Sequence, residues 1–257
     1  MQPQHAGALR YYQFESLNPA RVTHAVFARH GGVSPAPYGS LNLSVSTGDA
    51  RDNVRANRLR AFQALGRAPE SVADLWQVHS ARVVVADTPN APADHKGQAD
   101  TLITDRPDVT LLLRFADCVP ILLADPVTGN VAAVHAGWRG VEARILQASV
   151  TSVTGDGSRL VAAIGPCIGA CCFEVGEDVA ERIAAVSVPA VVVGRAAPKA
   201  YVDLRAAVRA QLRDLGLADE AIEDVGACTR CNPTDYHSFR RDGEASGRLL
   251  AVIVAGL

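Results

Sequence analysis

Aromatic residues make up only 5% of the 257-residue chain, and no segment is both long and apolar. The first shortage leaves few rings on which exposed bases could stack, which argues against a nucleic-acid platform. The second excludes a membrane-spanning helix, because that needs about 20 consecutive apolar residues. Runs such as Val119–Ala124 fall far short of it. An excess of one charge is also missing. The formal net charge is −2, so nothing attracts the chain to a polyanion or an acidic membrane. Met1 to Gly7 lack the basic and apolar regions of a secretory leader, so a cytoplasmic protein is expected. In that setting the six cysteines read as thiols or ligands rather than a disulfide framework. A small-molecule substrate is the expected partner, with no nucleic acid and no membrane, and a monomer as the default.

What is present has the size and composition of an ordinary soluble protein, with 48% hydrophobic residues to build a core. No repeat, low-complexity tract or long linker interrupts the chain, so a single domain over 1–257 is expected. Val109–Phe115, Val119–Ala124 and Val131–His135 are continuous apolar runs, the pattern of strands buried on both faces. Asp125–Asn130 is short enough to join two of them as a hairpin. Further strands are expected at Val22–Arg29, Val72–His79, Arg82–Asp87, Leu160–Ile164, Val188–Val193, Asp224–Cys228 and Leu249–Val254. Helical spacing appears in Val54, Ala61, Phe62 and Leu65 before Gly66, after Gly140, around Gly176–Ala185, and after Asp203 up to Gly216. Together these predict an α/β (α+β) fold of layered mixed β-sheets flanked by helices.

Three segments place a ligand-type side chain at the end of, or between, buried strands. They are Trp76-Gln77-Val78-His79, Ala116-Asp117-Cys118-Val119-Pro120 and Ala133-Val134-His135-Ala136-Gly137-Trp138-Arg139-Gly140. One thiolate and two imidazoles suit zinc in tetrahedral geometry, with a fourth position open for water or substrate. The spacing alone favours a plainer reading, a buried thiol and two hydrogen-bonded histidines, because no short motif joins the three.

The wider pattern reverses that weighting. "QVH", "ADCVPILLADP", "AVHAGWRG", "IGPCIGACCFEVGEDV" and "CTRCNPTDYHSFRRDGEASGR" together resemble the YfiH-like family, also called the multicopper polyphenol oxidase or laccase-domain family. The resemblance runs from about Arg29 to the C-terminus. It implies a zinc site at His79, Cys118 and His135 and an enzyme acting on purine nucleosides. The implied activities are phosphorolysis of adenosine, inosine, guanosine and methylthioadenosine, and deamination of adenosine. Cys118, His135 and Arg139 are the implied catalytic residues. One departure is visible, because the family's glycine after Gln-Val-His is Ser80 here. The laccase label itself fails on composition. Seven histidines with no His-X-His pair cannot supply a four-copper cluster, so copper would be an adventitious substitute.

Gly137–Gly140 lies between a strand and a helix, where backbone N–H groups and Arg139 could meet an anion; the alternative is a tight turn with Trp138 in the core. Arg240 and Arg241 could grip phosphate, or could simply pair with Asp242 on the surface. Arg29 and Asn42, with Arg240 and Arg241, match family positions near the pocket and are the expected substrate or phosphate ligands, with His237 beside them. Asp117 is a candidate to support the neighbouring ligand. Cys228-Thr229-Arg230-Cys231 has zinc-knuckle spacing but is two ligands short. Cys167, Cys171 and Cys172 could complete it only by spatial coincidence, so all five read as buried thiols. A second enzyme class uses the same residues: a cysteine hydrolase with Cys118 as nucleophile and His135 as base, acting in peptidoglycan precursor editing.

Overall fold

Strands that are apolar on both faces need cover on both sides, and the computed structural model, which describes residues 2–17, 22–89 and 97–256, provides it. Two six-stranded mixed sheets lie face to face, with helices outside each. The first sheet runs Gln2–Ala6, Leu9–Gln13, Thr23–Phe27, Leu249–Val254, Thr110–Phe115, Val72–Ala73. The second runs Ile222–Asp224, Val161–Ile164, Val119–Ala124, Val131–Ala136, Thr101–Thr104, Val83–Val85. A smaller antiparallel sheet pairs Lys199–Val202 with Glu174–Gly176 and Val192–Ala196. This is the layered mixed α/β architecture expected.

The period of two along each strand sorts side chains between layers. Leu111, Leu113 and Phe115 enter the space between the sheets, where Leu122, Ala133, Ala163 and Ala251 meet them. Leu112, Leu250 and Val252 point the other way, onto Phe62 of the helix Arg51–Ala64. On the far side of the second sheet, Ile121, Leu123 and Val134 pack against the helices Ile145–Thr154 and Leu204–Asp214. The latter begins as expected, with the Asp203 side chain accepting from the Ala206 N–H. Among the described residues no helix is long and apolar enough to cross a membrane.

Four expected elements are corrected. Val72–His79 is a strand only over Val72–Ala73, because Asp74 is buried to pair with Arg58 and Arg114 and the chain then turns away. The helix after Gly140 starts earlier and breaks: Trp138–Glu142 ends before Arg144, whose φ of 58° stops propagation, and Ile145–Thr154 restarts it. Val188–Val193 is a short 3-10 turn at Pro189–Val191, followed by a strand at Val192–Ala196. Asp224–Cys228 is a strand only to Asp224. The opening hairpin of Gln2–Ala6 and Leu9–Gln13 gave no apolar signal, since its first strand is an exposed edge.

His24 makes acid stability measurable. It is fully buried, with Nε2 accepting from the Phe14 N–H at 2.8 Å, and burial lowers its pKa from 6.5 to about 4. The unfolded chain therefore binds the extra proton between those values. Stability is complete above pH 6.5 and falls towards pH 4, by about 3 kcal/mol from this residue. Urea unfolding of wild type and His24→Gln should show a stability gap that narrows by about that amount between pH 7 and pH 4. A gap independent of pH would contradict the assignment.

Candidate active site

The chain passes from one sheet to the other at a common edge, and each predicted ligand sits at or beside such a passage. Ala116-Asp117-Cys118 links Thr110–Phe115 of the first sheet to Val119–Ala124 of the second. Residues 74–82 link Val72–Ala73 to Val83–Val85 and carry His79. His135 is near the end of Val131–Ala136, opposite Pro120 and so beside Cys118. Cys118 Sγ lies 3.5 Å from His79 Nε2, and the two imidazoles stand edge to face with centroids 5.0 Å apart. One donor atom from each of the three falls within 4.8 Å of the others.

Asp100 holds this arrangement, and nothing in its surroundings in the sequence marks it. Its carboxylate accepts from the N–H groups of Val78, His79 and Ser80 at 3.3, 3.0 and 2.6 Å, and from the Ser80 hydroxyl at 2.9 Å. It also lies 2.9 Å from His135 Nδ1. A carboxylate only accepts, so His135 carries its proton on Nδ1 and turns Nε2 towards the thiol. The backbone bonds hold His79 at a φ of 60°, an uncommon conformation for a side-chain-bearing residue. Ser80 thus adds a hydroxyl donor to the same carboxylate. Burial works to raise the Asp100 pKa, but the bonds from His135 and Ser80 outweigh it and keep the carboxyl below its ordinary range.

The electrostatics favour cation binding. Burial raises the Cys118 thiol, yet the facing His135 and hydrogen bonds from both histidines outweigh it and bring the pKa down to about 6. His135 moves the other way: burial lowers it, while Cys118 and Asp100 raise it to about 9. Thiolate and imidazolium stabilise one another, and a divalent cation can take the place of the imidazolium proton. Gly137 leaves the necessary room. A Cβ there would sit 2.6 Å from His79 Cδ2 and 3.1 Å from Cys118 Sγ. Gly137→Ala should therefore displace His79 and weaken metal affinity by roughly 10-fold or more, with little change in folding stability. A competitive metal titration checks this, and unchanged affinity would count against it.

These three side chains open on a cleft of about 510 Å³. Arg139, Arg240 and Arg248 line it, as do Trp76 and Phe239, both close to half exposed. Arg139 stacks on Trp138 at 4.6 Å. Arg240 lies over Phe173 at 5.5 Å and donates to the carbonyls of Glu174 and Cys172, while its N–H is fixed by Asp117 Oδ2 at 2.6 Å. Asp117, at a φ of 85°, supports the site by holding this segment and the Thr229 hydroxyl rather than by touching the histidines. Trp138 starts a helix of only five residues, so what this turn turns towards the cleft is the Arg139 side chain rather than a helix end.

The other expected ligands do not line the cleft. Arg29 donates to the carbonyls of Gly39 and Pro233, clamping two loops. Arg241 makes a two-pronged pair with Asp242 and bonds the carbonyls of Thr229 and Tyr236. Asn42 is buried; its side chain bonds Thr47 and Asp49 and accepts from the Arg248 N–H at 3.0 Å. It shapes the wall without facing the cleft. His237 is fully buried against Gly247. Sequence reasoning missed Asp100, Arg248, Trp76 and Phe239. Arg248 closes the last family-like motif and Trp76 opens the segment that carries His79, so those two carried a faint positional signal though no role was read for either.

With this geometry in hand, comparison with known proteins is informative. A family model described as multi-copper polyphenol oxidoreductase laccase matches residues 23–256. The chain is 40% identical over 235 residues to a purine nucleoside phosphorylase of Deinococcus radiodurans, covering 90% of this chain and 88% of that one. It is 40% identical over 230 residues to a purine nucleoside phosphorylase of Streptomyces coelicolor, covering 88% and 92%. Among solved structures it resembles YlmD from Geobacillus stearothermophilus, at 31% identity and a TM-score of 0.91 over 99% of this chain and 98% of that one. A Bacillus licheniformis hypothetical protein, YfiH, superposes with a TM-score of 0.91 at 26% identity over 98% of each chain.

Proposed function

The chain belongs to the family described as multi-copper polyphenol oxidoreductase laccase, and on that premise we propose that it is a zinc-dependent purine nucleoside phosphorylase with a single catalytic domain. The observation that carries the reading is one cleft holding a three-donor set of His79, Cys118 and His135 beside Arg139, Arg240 and Arg248 and two exposed aromatic rings. The relatives from Deinococcus and Streptomyces, named purine nucleoside phosphorylases, support the same reaction. The proposed substrates are adenosine, inosine, guanosine and methylthioadenosine, and adenosine is also deaminated. One thiolate and two imidazoles make a single-ion site suited to zinc, not a multicopper cluster.

When bound by these three residues, zinc supplies Lewis-acid polarisation of a substrate oxygen. The chain's own groups do the rest. Arg139, Arg240 and Arg248 offer charge-assisted donors that hold inorganic phosphate and offset its charge as one oxygen attacks C1′ of the ribose. The bond from C1′ to the purine breaks, its electron pair leaves with the base, and the base takes up a proton. Trp76 and Phe239 present faces on which a purine stacks.

Metal-replete protein given adenosine and phosphate should yield adenine and ribose 1-phosphate only when phosphate is present, and inosine with or without it. Release of neither base nor inosine would sink the proposal. Arg139→Gln should raise the KM for phosphate about tenfold through loss of one charge-assisted contact, and Arg240→Gln at least as much. Steady-state kinetics with varied phosphate reads both.

A second reading is favoured by one observation, the Cys118 sulfur within 4.8 Å of a His135 ring nitrogen, which holds the thiol below its ordinary range. In it the thiolate attacks a carbonyl carbon of a peptidoglycan precursor, His135 protonates the leaving group, and water releases the acyl group. A mild electrophile that labels Cys118 and abolishes activity in zinc-free, active enzyme would support it; stoichiometric zinc on Cys118 in active enzyme would exclude it.

A further inference from the structure

About 60 residues of sequence separate Cys171 and Cys172 from Cys228 and Cys231, yet the fold brings all four sulfurs together. This corrects the expectation that they are separate buried thiols. Cys171 and Cys231 are exposed, Cys172 and Cys228 are buried, and the four Sγ atoms lie within 4.8 Å of one another. Cys231 Sγ is 3.5 Å from that of Cys171 and 3.3 Å from that of Cys172. The convergence has a structural cause. Cys167 bridges Cys228 backbone to backbone, with the Cys167 N–H donating to the Ala227 carbonyl and the Thr229 N–H to the Cys167 carbonyl. That register carries the turn at 169–173 onto the turn at 228–232.

We propose that Cys171, Cys172, Cys228 and Cys231 form a second, structural zinc site, closed by four thiolates and separate from the one in the cleft. Four thiolates are a soft, tetrahedral donor set, and with a zinc–sulfur distance of about 2.3 Å the sulfurs of such a site stand roughly 3.8 Å apart. The four sulfurs here are within a small contraction or expansion of that spacing. The surroundings suit anionic sulfur. The Gly169 N–H donates to Cys228 Sγ at 3.2 Å and Arg230 donates to Cys172 Sγ at 3.5 Å. Gly169 is confined by the cluster itself: a Cβ there would meet Cys228 Cβ at 3.0 Å and Cys171 Sγ at 3.3 Å. Four thiolates this close repel strongly, and a divalent cation among them removes that cost. Cys167 takes no part; burial pushes its thiol up to about 12.

The position of the site gives it a purpose. The Cys172 carbonyl accepts from Arg240, the carbonyls of Thr229 and Arg230 accept from Arg241, and the Thr229 hydroxyl bonds Asp117. Zinc joining the two turns would therefore fix the segment that presents Arg240 to the cleft.

The test uses protein purified under reductant: wild type, Cys118→Ala and the double variant Cys171→Ser/Cys231→Ser. Metal analysis should find two zinc ions per chain in wild type and one in each of the others. Cobalt loaded into Cys118→Ala should give the intense sulfur-to-metal charge-transfer bands and strong ligand-field bands of a tetrahedral four-thiolate complex. Chelation should lower the melting temperature of Cys118→Ala and leave that of the triple variant Cys118→Ala/Cys171→Ser/Cys231→Ser, which keeps neither site, unchanged. The site is refuted if Cys118→Ala holds no metal, if the double variant keeps as much zinc as wild type, or if iron with acid-labile sulfide is found instead. Because these readouts use Cys118→Ala, they stand whether or not the chain phosphorolyses nucleosides.

Discussion

Cys118→Ala should lose the cleft metal and reduce kcat/KM for nucleoside phosphorolysis by about 10³-fold, because several kcal/mol of charge stabilisation depend on the ion that Cys118 helps to hold. The thiolate is the one anionic donor in the set, and its low pKa exists only because His79 and His135 face it. The two histidines left behind offer neutral donors to a divalent ion, one of them still bonded to Asp100. Cys118 sits at the cleft surface in the passage between the sheets rather than in either apolar layer, so the melting temperature of metal-free protein should scarcely move. Zinc content and turnover measured on one preparation decide the point. One fewer metal equivalent with activity gone is the expected pair. Wild-type metal content would overturn the ligand assignment, and full turnover without the metal would overturn its catalytic role.

Asp100→Asn is the second large effect, and it acts at a distance of one residue from the chemistry. In the wild type one carboxylate oxygen serves His79 N–H and His135 Nδ1, and the other serves the Val78 and Ser80 N–H groups and the Ser80 hydroxyl. An amide has a single acceptor oxygen, so its NH₂ must face donors on one side. The buried donors so stranded should cost roughly 3 kcal/mol of stability. Freed from its partner, the His135 ring should also lose its fixed tautomer, weakening metal binding by roughly 10- to 100-fold. Urea unfolding of metal-free protein reads the first effect and competition with a chelator reads the second. A merely structural residue would move only the first. Loss of stability with metal affinity intact would therefore refute the positioning role.

The layers of the fold were legible because burial on both faces leaves a local trace. Thr110–Phe115, Val119–Ala124 and Leu249–Val254 are apolar at every or nearly every position, and each proved to be buried throughout. Asp203 and Gly216 marked the ends of their helix for equally local reasons. Where long-range pairing competes with local preference, the reading failed. Val72–His79 has the letters of a strand, but Asp74 is held by two arginines from elsewhere, and Arg144 breaks a pattern that looks continuous.

The chemistry divides in the same way. A thiol and two imidazoles announce soft-metal ligation by composition, and the family resemblance joined them. Arginine has no such signature. Arg29, Arg240 and Arg241 all hold backbone carbonyls, yet of the three Arg240 alone also lines the cleft, and adjacent letters could not have separated those fates. Asp100 was invisible, and the four-cysteine cluster could be read only as a coincidence, because their partners lie 20 to 60 residues away.

By itself, then, the order of residues determined which segments would be strands buried on both sides, which side chains had the hardness and charge to bind a metal, and that no membrane helix would form. Tertiary structure decided which of those side chains meet. Hydrophobic periodicity specifies a face and not a neighbour, whereas the meeting of His79, Cys118 and His135 depends on where the chain crosses between two stacked sheets and on the register of the strands beside that crossing.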